Sequence, residues 1–284
     1  MRWADPAGLL VATDLDNTLL RTDRSISART EEALRAAARV GVVVVPVTAR
    51  QRLGVLAVAP VFVELAEQFG GWAVCSNGAL GVHLATGRRL FEATMQVGAQ
   101  RELVDRLSAA LPEVRFCAVR DGGDGFFVEP GYPDLCSWSD HNRDPRAMQV
   151  VDRDRLTDTP NIKIVARHPV LTARDLLAAF AALELPGLQS TSSGAPFLEV
   201  SGAGIGKAYG LRLLAEHLGL GPQQVVALGD GLNDLDMLAW AGRGIAVANA
   251  EPELLAAADE VVPGCDEDGF ARVLEDLVAA HALG

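Results

Sequence analysis

Two carboxylates stand two residues apart, directly after a short apolar segment. Leu9 to Thr13 is typical of a β-strand, and Asp14 and Asp16 follow it in the run DLDNTLL. A carboxylate can attack a phosphoryl group to form an acyl phosphate, and a second carboxyl group can pass a proton to the leaving group. The same residues also suit a loop that caps a helix. An EF-hand is excluded, because Leu19 stands where that loop needs glycine.

Another carboxylate pair lies in the run GDGLNDLDML, near the other end of the chain. Asp230 follows the apolar segment 225–228, which predicts a strand, and Asp234 lies at the start of the next helical pattern. Hard cations take oxygen ligands, so Asp230 could join Asp14 around one cation. A helix cap with an acidic first turn is the alternative.

A hydroxyl and an ammonium group complete the set of candidate residues. Thr48 ends the β-branched run 42–47, and its hydroxyl could hold a phosphate oxygen or cap the next helix. Lys207 ends the run GIGK, which resembles a phosphate-binding P-loop. That loop would need glycine at Ser201 and Ser or Thr at Ala208, so a nucleotide site is disfavoured.

Charge connects these groups. The 284 residues include 25 basic and 37 acidic side chains, and Lys163 and Lys207 are the two lysines. The net charge of -12 argues against nucleic acid as a partner but permits a small phosphorylated substrate. Each pair of like charges about 4 Å apart costs about 4 kcal/mol at an effective dielectric near 20. A divalent cation together with Lys207 would offset that repulsion, which predicts a Mg²⁺-dependent phosphoryl-transfer site.

The remaining composition predicts a cytoplasmic protein. We expect no membrane span and no secretion signal, since the apolar runs are short and interrupted. Cys75, Cys117, Cys136 and Cys265 lack zinc-ligand spacing and are expected to be reduced thiols.

Alternating strand and helix patterns at both ends of the chain predict the fold. We expect an α/β fold: a doubly wound, Rossmann-like parallel sheet interrupted by a smaller α/β cap domain. The predicted core covers residues 1–81 and 190–284, and the predicted cap covers 82–189. Residues 52–69 are expected to form one helix, and residues 130–159 mostly loop.

Four motifs in order, DLDNTLL, VTAR, GIGK and GDGLNDLDML, resemble those of the haloacid dehalogenase superfamily of phosphatases. The run AVANAEPELLAAADEV after the fourth motif supports the resemblance. The insert, and SNGA at 76–79, are similar to the Cof-type and sucrose-phosphatase-like branch. The resemblance covers roughly residues 8–80 and 190–284.

The resemblance implies a role for each motif. Asp14 would be the nucleophile, and Asp16 the general acid and then base. The phosphoryl group and substrate would be held by Thr48, Lys207, Asn233, Asn77 and Gly78. Mg²⁺ would be bound by Asp14, Asp16 (through its backbone carbonyl), Asp230 and Asp234. Two departures are Asn17 and Ala49, where many relatives have glycine.

We therefore expect a Mg²⁺-dependent phosphatase acting on a small sugar-type phosphomonoester through an aspartyl-phosphate. A phosphotransferase or phosphosugar mutase on the same site, or a catalytically silent binding module, are the alternatives. Roles for His83, His141, Arg143 and Lys163 stay open, with a solvated outer face favoured for Lys163. A packed histidine is favoured for His83, and a plain loop for 141–143.

Overall fold

The computed structural model describes residues 8–141, 143–191 and 196–282, which form two compact units. The first unit runs to Phe91 and resumes at Gly206, and the second is Glu92–Ile205. The boundaries thus fall at 91/92 and 205/206, later in the chain than the expected 81/82 and 189/190. Strand pairing explains the shift. Residues 80–83 and 89–92 form a sheet with residues 72–75 of the first unit, and residues 188–191 and 198–202 pair within the second unit.

The described residues contain fourteen strands and twelve α-helices. The strands are β1 Leu10–Thr13, β2 Val43–Pro46, β3 Trp72–Cys75, β4 Leu80–His83, β5 Arg89–Glu92, β6 Arg115–Arg120, β7 Gly125–Val128, β8 Gln149–Val150, β9 Lys163–Arg167, β10 Leu188–Thr191, β11 Leu198–Gly202, β12 Val225–Gly229, β13 Arg243–Val247 and β14 Glu260–Val262. The helices are α1 Ala28–Arg39, α2 Arg52–Val58, α3 Val61–Glu64, α4 Ala66–Phe69, α5 Val97–Ala110, α6 Trp138–His141, α7 Arg153–Thr157, α8 Ala173–Ala182, α9 Lys207–His217, α10 Leu235–Trp240, α11 Pro252–Ala257 and α12 Gly269–Ala282.

A five-stranded parallel sheet forms the centre of the first unit, in the order β14-β13-β12-β1-β2. Every residue of β1 and β12 is buried, as expected for strands with both faces covered. α1 begins at a cap in which the Ser27 hydroxyl accepts the Thr30 N–H, and ends before Gly41, whose positive φ breaks the helix. These features confirm the doubly wound core.

A smaller sheet, β3-β4-β5, lies in the same unit apart from Glu92, so residues 82–91, which the sequence assigned to the cap, belong to the first unit. The expected single helix at 52–69 is divided into α2, α3 and α4. The first division falls at Pro60, because proline disfavours the helical conformation in the residue before it, and Ala59 is non-helical there. The second falls at Leu65, between α3 and α4.

The second unit is built on a six-stranded sheet in the order β10-β11-β9-β6-β7-β8. Its pairs are antiparallel apart from β7 and β8. One face packs on the apolar sides of α5, α7 and α8, through residues such as Leu107, Leu156 and Leu176. The opposite face holds a separate cluster that includes Tyr132 and Phe197. None of the described helices is long and apolar enough to cross a membrane.

Candidate active site

Three adjacent strands of the parallel sheet end at residues singled out in the sequence. Asp14 follows β1, Thr48 lies two residues beyond β2, and Asp230 follows β12. Strands β12, β1 and β2 are neighbours and run in one direction, so these side chains lie at one edge of the sheet. This is the edge at which open α/β sheets bind their ligands.

Carboxylate oxygens of Asp14, Asp230 and Asp234 lie within 4.8 Å of one another, a spacing that could hold a metal ion. Lys207 Nζ donates to Asp14 Oδ1 over 2.7 Å and to Asp234 Oδ1 over 2.5 Å. Lys207 is 1% exposed and Asp234 0%. Two buried acids therefore share one ammonium group and the partly buried Asp230 lies beside them, which leaves negative charge that a cation would neutralise.

The pKa values follow from that crowding. Burial raises the pKa of Asp14 well above its usual value; Lys207 opposes the rise, whereas Asp234 and Asp230 add to it. Burial and the charge of Asp234 raise the pKa of Asp230 to about 6. Burial alone would lower the pKa of Lys207, but the charges of Asp14 and Asp234 raise it. Lys207 therefore stays protonated, while the carboxylates compete for positive charge.

Backbone and hydroxyl donors hold the acids in place. Asp234 Oδ2 accepts the backbone N–H groups of Asp230 and Gly231 over 3.1 and 3.0 Å, which closes the turn after β12. A side chain at Gly229 would meet the Asp234 carboxyl group at 2.4 Å, so glycine is needed there. Thr18 Oγ1 donates to Asp230 Oδ1 over 2.9 Å and thereby links the first and fourth motifs.

The Asp16 carboxylate pairs with Arg50 and is not one of the three clustered acids. Arg50 Nε and Nη2 donate to its two oxygens over 2.7 and 2.5 Å, in the two-point geometry that orients a carboxylate firmly. The Arg50 side chain is 9% exposed and that of Asp16 40%. Arg50 is thus an ion-pair partner of Asp16.

Asn17, one of the two departures from the family pattern, has a left-handed backbone with φ of 56°. Asparagine tolerates this conformation better than most residues, so it can replace the usual glycine. Asn249, in the run AVANA, donates from Nδ2 to the Asn17 carbonyl over 2.8 Å. Its Oδ1 accepts the Cys265 N–H over 2.8 Å. One side chain therefore links the turn after β1 to the loop before α12.

The other predicted ligand-binding residues are linked through backbone and amide groups. The Asn77 N–H donates to the Thr48 carbonyl, and Asn233 Nδ2 donates to Asn77 Oδ1, each over 3.0 Å. Thr48 is 1% exposed, and its hydroxyl accepts the Arg50 N–H over 3.2 Å. A side chain at Gly78 would lie 1.8 Å from the Gly206 carbonyl oxygen, so glycine allows the loop 76–78 to pack on the start of α9.

Of the residues with open roles, Lys163 differs most from expectation. It is 8% exposed and forms an ion pair with Glu199 on the neighbouring strand, so the solvated outer face favoured for it is wrong. The reason is that its face of the second sheet is covered, by the cluster around Tyr132 and Phe197.

The histidines are also packed. His83 makes an edge contact with Trp72 at 5.5 Å, as favoured. His141 ends α6, stacks on Phe197 at 5.1 Å and shares a 2.9 Å hydrogen bond with Tyr132, so its side chain is packed. Arg143 lies over the ring of Phe126 at 3.7 Å. Asn142, between them, lies outside the described residues.

The model of the haloacid dehalogenase-like hydrolase family matches residues 11–274. The chain belongs to this family. The match spans both units and confirms the resemblance to the superfamily, drawn from the four motifs, and to its Cof-type branch, drawn from the insert and the SNGA run. Phosphatase YwpJ of Bacillus subtilis is 27% identical to this hydrolase, over 95% of this chain and 99% of that protein. An HMP-PP phosphatase of Yersinia pseudotuberculosis is 29% identical, over 96% and 97%.

Solved structures agree with the family assignment. A haloacid dehalogenase-like hydrolase from Bacteroides thetaiotaomicron is 27% identical and superposes with a TM-score of 0.76, over 95% of this chain and 99% of that one. A subclass IIB sugar phosphatase of this superfamily has the same fold, with a TM-score of 0.77 at 20% identity, over 95% and 98%. Together with the phosphatase relatives, these likenesses identify the hydrolase as a phosphoric monoester hydrolase.

Four contacts of this hydrolase were missed by the sequence analysis: Arg50 with Asp16, Thr18 with Asp230, Asn249 with Asn17, and Glu199 with Lys163. Thr18, Arg50 and Asn249 stand inside quoted motifs, so the motif itself was a usable signal. Glu199 lies in a strand pattern that gives no hint of its partner.

Proposed function

We propose that the hydrolase is a Mg²⁺-dependent phosphatase that cleaves a small phosphomonoester of the sugar-phosphate type through an aspartyl-phosphate on Asp14. The observation that carries the proposal is the cluster of three acids around one lysine. Such a cluster suits a divalent cation and a phosphate, because each supplies the charge that the other needs.

In the first step, an oxygen of Asp14 attacks phosphorus as the bond to the leaving oxygen breaks. Asp16 gives its proton to that oxygen, so the alcohol departs neutral. In the second step, a water attacks the phosphorus and Asp16 takes its proton. The bond to Asp14 then breaks and inorganic phosphate is released. Arg50, which pairs with the Asp16 carboxylate, would orient it when it takes the proton from water.

Lys207 and Thr48 would hold the non-transferring phosphoryl oxygens, with Asn233, Asn77 and Gly78 completing the phosphate and substrate contacts. Asp14, Asp230, Asp234 and the Asp16 carbonyl would hold Mg²⁺. When bound, the cation would withdraw charge from the phosphoryl group and screen it from the carboxylates. The second unit would act as the cap that selects the substrate. The sugar class rests on the SNGA run and the insert, which resemble the sucrose-phosphatase-like branch.

Metal dependence is the direct test. We expect phosphate release from p-nitrophenyl phosphate and from a panel of sugar, polyol and nucleotide phosphates to require added Mg²⁺ after treatment with EDTA. The wild type should also gain thermal stability with Mg²⁺, by an amount set by the ratio of free Mg²⁺ to its Kd, about 2.7 kcal/mol at a hundredfold excess.

The Asp234→Asn variant should lose that stabilisation by Mg²⁺. Release that persists in EDTA would contradict the metal dependence. Faster turnover of nucleotide phosphates than of every sugar phosphate would contradict the substrate class.

A further inference from the structure

The first turn of α9 is capped by a side chain from a different helix. The N–H of Ala208 donates to Asp236 Oδ2 over 3.1 Å, and Asp236 belongs to α10. Position N-cap of α9 is Gly206, which has no side chain to accept that bond. Asp236 therefore satisfies one of the free N–H groups of α9, a task usually done by a residue at the N-cap.

Gly206 makes this approach possible. A Cβ at this position would lie 2.2 Å from Asp236 Oδ2, so any other residue would push the carboxylate away. On its other side, Gly206 packs on Gly78. Gly206, the glycine before Lys207 in the GIGK run, therefore leaves room for the Asp236 carboxylate at the start of α9.

Asp234 binds the side chain of Lys207, and Asp236 binds the backbone N–H next to it. Lys207 is the first residue of α9, and its Nζ donates to Asp14 and Asp234. Two residues beyond Asp234, Asp236 accepts the N–H that follows Lys207. One short segment therefore fixes both the backbone and the ammonium group of this lysine.

We propose that Asp236 is a positioning residue that anchors the first turn of α9, so that the Lys207 ammonium group stays between Asp14 and Asp234. Its effect on turnover rests on the proposed function, in which Lys207 holds the phosphoryl group. Displacement of a positioned group by about 1 Å can cost as much as 100-fold in rate.

The composition of the chain offers a readout that does not need activity. Lys163 and Lys207 are the two lysines, so ¹⁵N-lysine labelling gives two side-chain signals. We expect Asp236→Ala to shift or broaden the Lys207 signal and to leave that of Lys163 unchanged. Asp236→Asn keeps an oxygen acceptor and should restore the wild-type signal. An Asp236→Ala protein with an unshifted Lys207 signal would overturn the proposal.

Kinetics then separate positioning from catalysis. With p-nitrophenyl phosphate, Asp236→Ala should lower kcat about 5- to 20-fold with KM within twofold, and Asp236→Asn should recover most of the rate. Asp259→Ala is the matched control, because Asp259 is also exposed and accepts one backbone N–H, that of Gly244. It should lower Tm without lowering kcat.

Equal losses of kcat in Asp236→Ala and Asp259→Ala would overturn the proposal, since they would reflect stability alone. A shifted Lys207 signal with unchanged kcat would support the positioning and count against the role of Lys207 in the proposed function.

Discussion

The two lysines stand in opposite electrostatic surroundings. In the first unit, Lys207 is shared by Asp14 and Asp234, with Asp230 close by, so acids outnumber the base three to one. In the second unit, Glu199 is the one acid among the described residues that forms an ion pair with Lys163. Both lysines are buried, so burial does not distinguish them. The difference lies in whether the protein alone balances the charge.

Charge balance separates a structural pair from a site that needs a ligand. A buried one-to-one pair compensates much of its own desolvation and calls for nothing further. The buried Asp14 and Asp234 and the partly buried Asp230 exceed the single ammonium group, and burial together with the neighbouring acids raises the pKa values of Asp14 and Asp230. The unbalanced cluster is therefore the place where a divalent cation and a phosphate would bind.

The largest expected effect comes from removing one charge of the unbalanced cluster. Asp14→Asn should lower kcat by at least about 1,000-fold, because the nucleophile is lost. Its Tm should match or exceed that of the wild type, since two acids then face one lysine. Steady-state phosphate release and thermal unfolding measure the two quantities.

A variant that keeps substantial activity would contradict the covalent route through Asp14. A large loss of Tm would contradict the charge excess, because the cluster would then behave as a balanced network.

The balanced pair should respond in the opposite way. Glu199→Gln should lower the free energy of unfolding by about 3–5 kcal/mol, because it removes one charge of a buried ion pair. The double variant Lys163→Met/Glu199→Leu should recover most of that loss, since both charges are gone. Denaturant unfolding measures both.

The exposed ion pair of Arg29 and Glu275 provides the control, because Glu275→Gln should cost less than about 1 kcal/mol. If Glu199→Gln lowers the free energy of unfolding no more than Glu275→Gln does, burial does not strengthen the dependence of Lys163 on Glu199.

The first unit was the more predictable from sequence. β1, β2 and β12 are apolar runs that end at Asp14, near Thr48 and at Asp230, so strand pattern and chemistry indicated the same positions. Because ligands bind at the carboxyl edge of a parallel sheet, the strand pattern alone was enough to predict that these residues share one edge. Their catalytic and binding roles remain predictions, whereas the parallel core is confirmed.

Contacts between side chains far apart in the chain could not be predicted from the sequence. Alternation along β9 indicates a half-exposed strand, but what covers each face depends on tertiary packing, so Lys163 was misplaced. The same limit applies to Arg50, whose partner lies 34 residues away. The domain boundaries were displaced because strands at 188–202 have no pattern that distinguishes one sheet from the other.

The smallest expected effect is a pH dependence in the second unit. Burial, together with the nearby charge of Lys163, lowers the pKa of His141 to about 3. In the unfolded chain this histidine takes up a proton near pH 6.5. Its contribution to stability is therefore complete above pH 6.5 and is lost as the pH falls from there toward 3, by at most about 1.4 kcal/mol per pH unit.

Replacing His141 isolates this contribution. His141→Gln keeps a polar group beside Tyr132 but does not titrate, so the free energy of unfolding should fall less steeply between pH 6.5 and 4.5 than in the wild type. Acids common to both proteins cancel when the two slopes are subtracted. The double variant Lys163→Met/Glu199→Leu should also reduce the slope, because losing the nearby positive charge raises the pKa of His141 toward its unfolded value. Equal slopes in all three proteins would mean that His141 titrates normally in the folded state. That result would show that the charge of Lys163 does not affect the titration of His141.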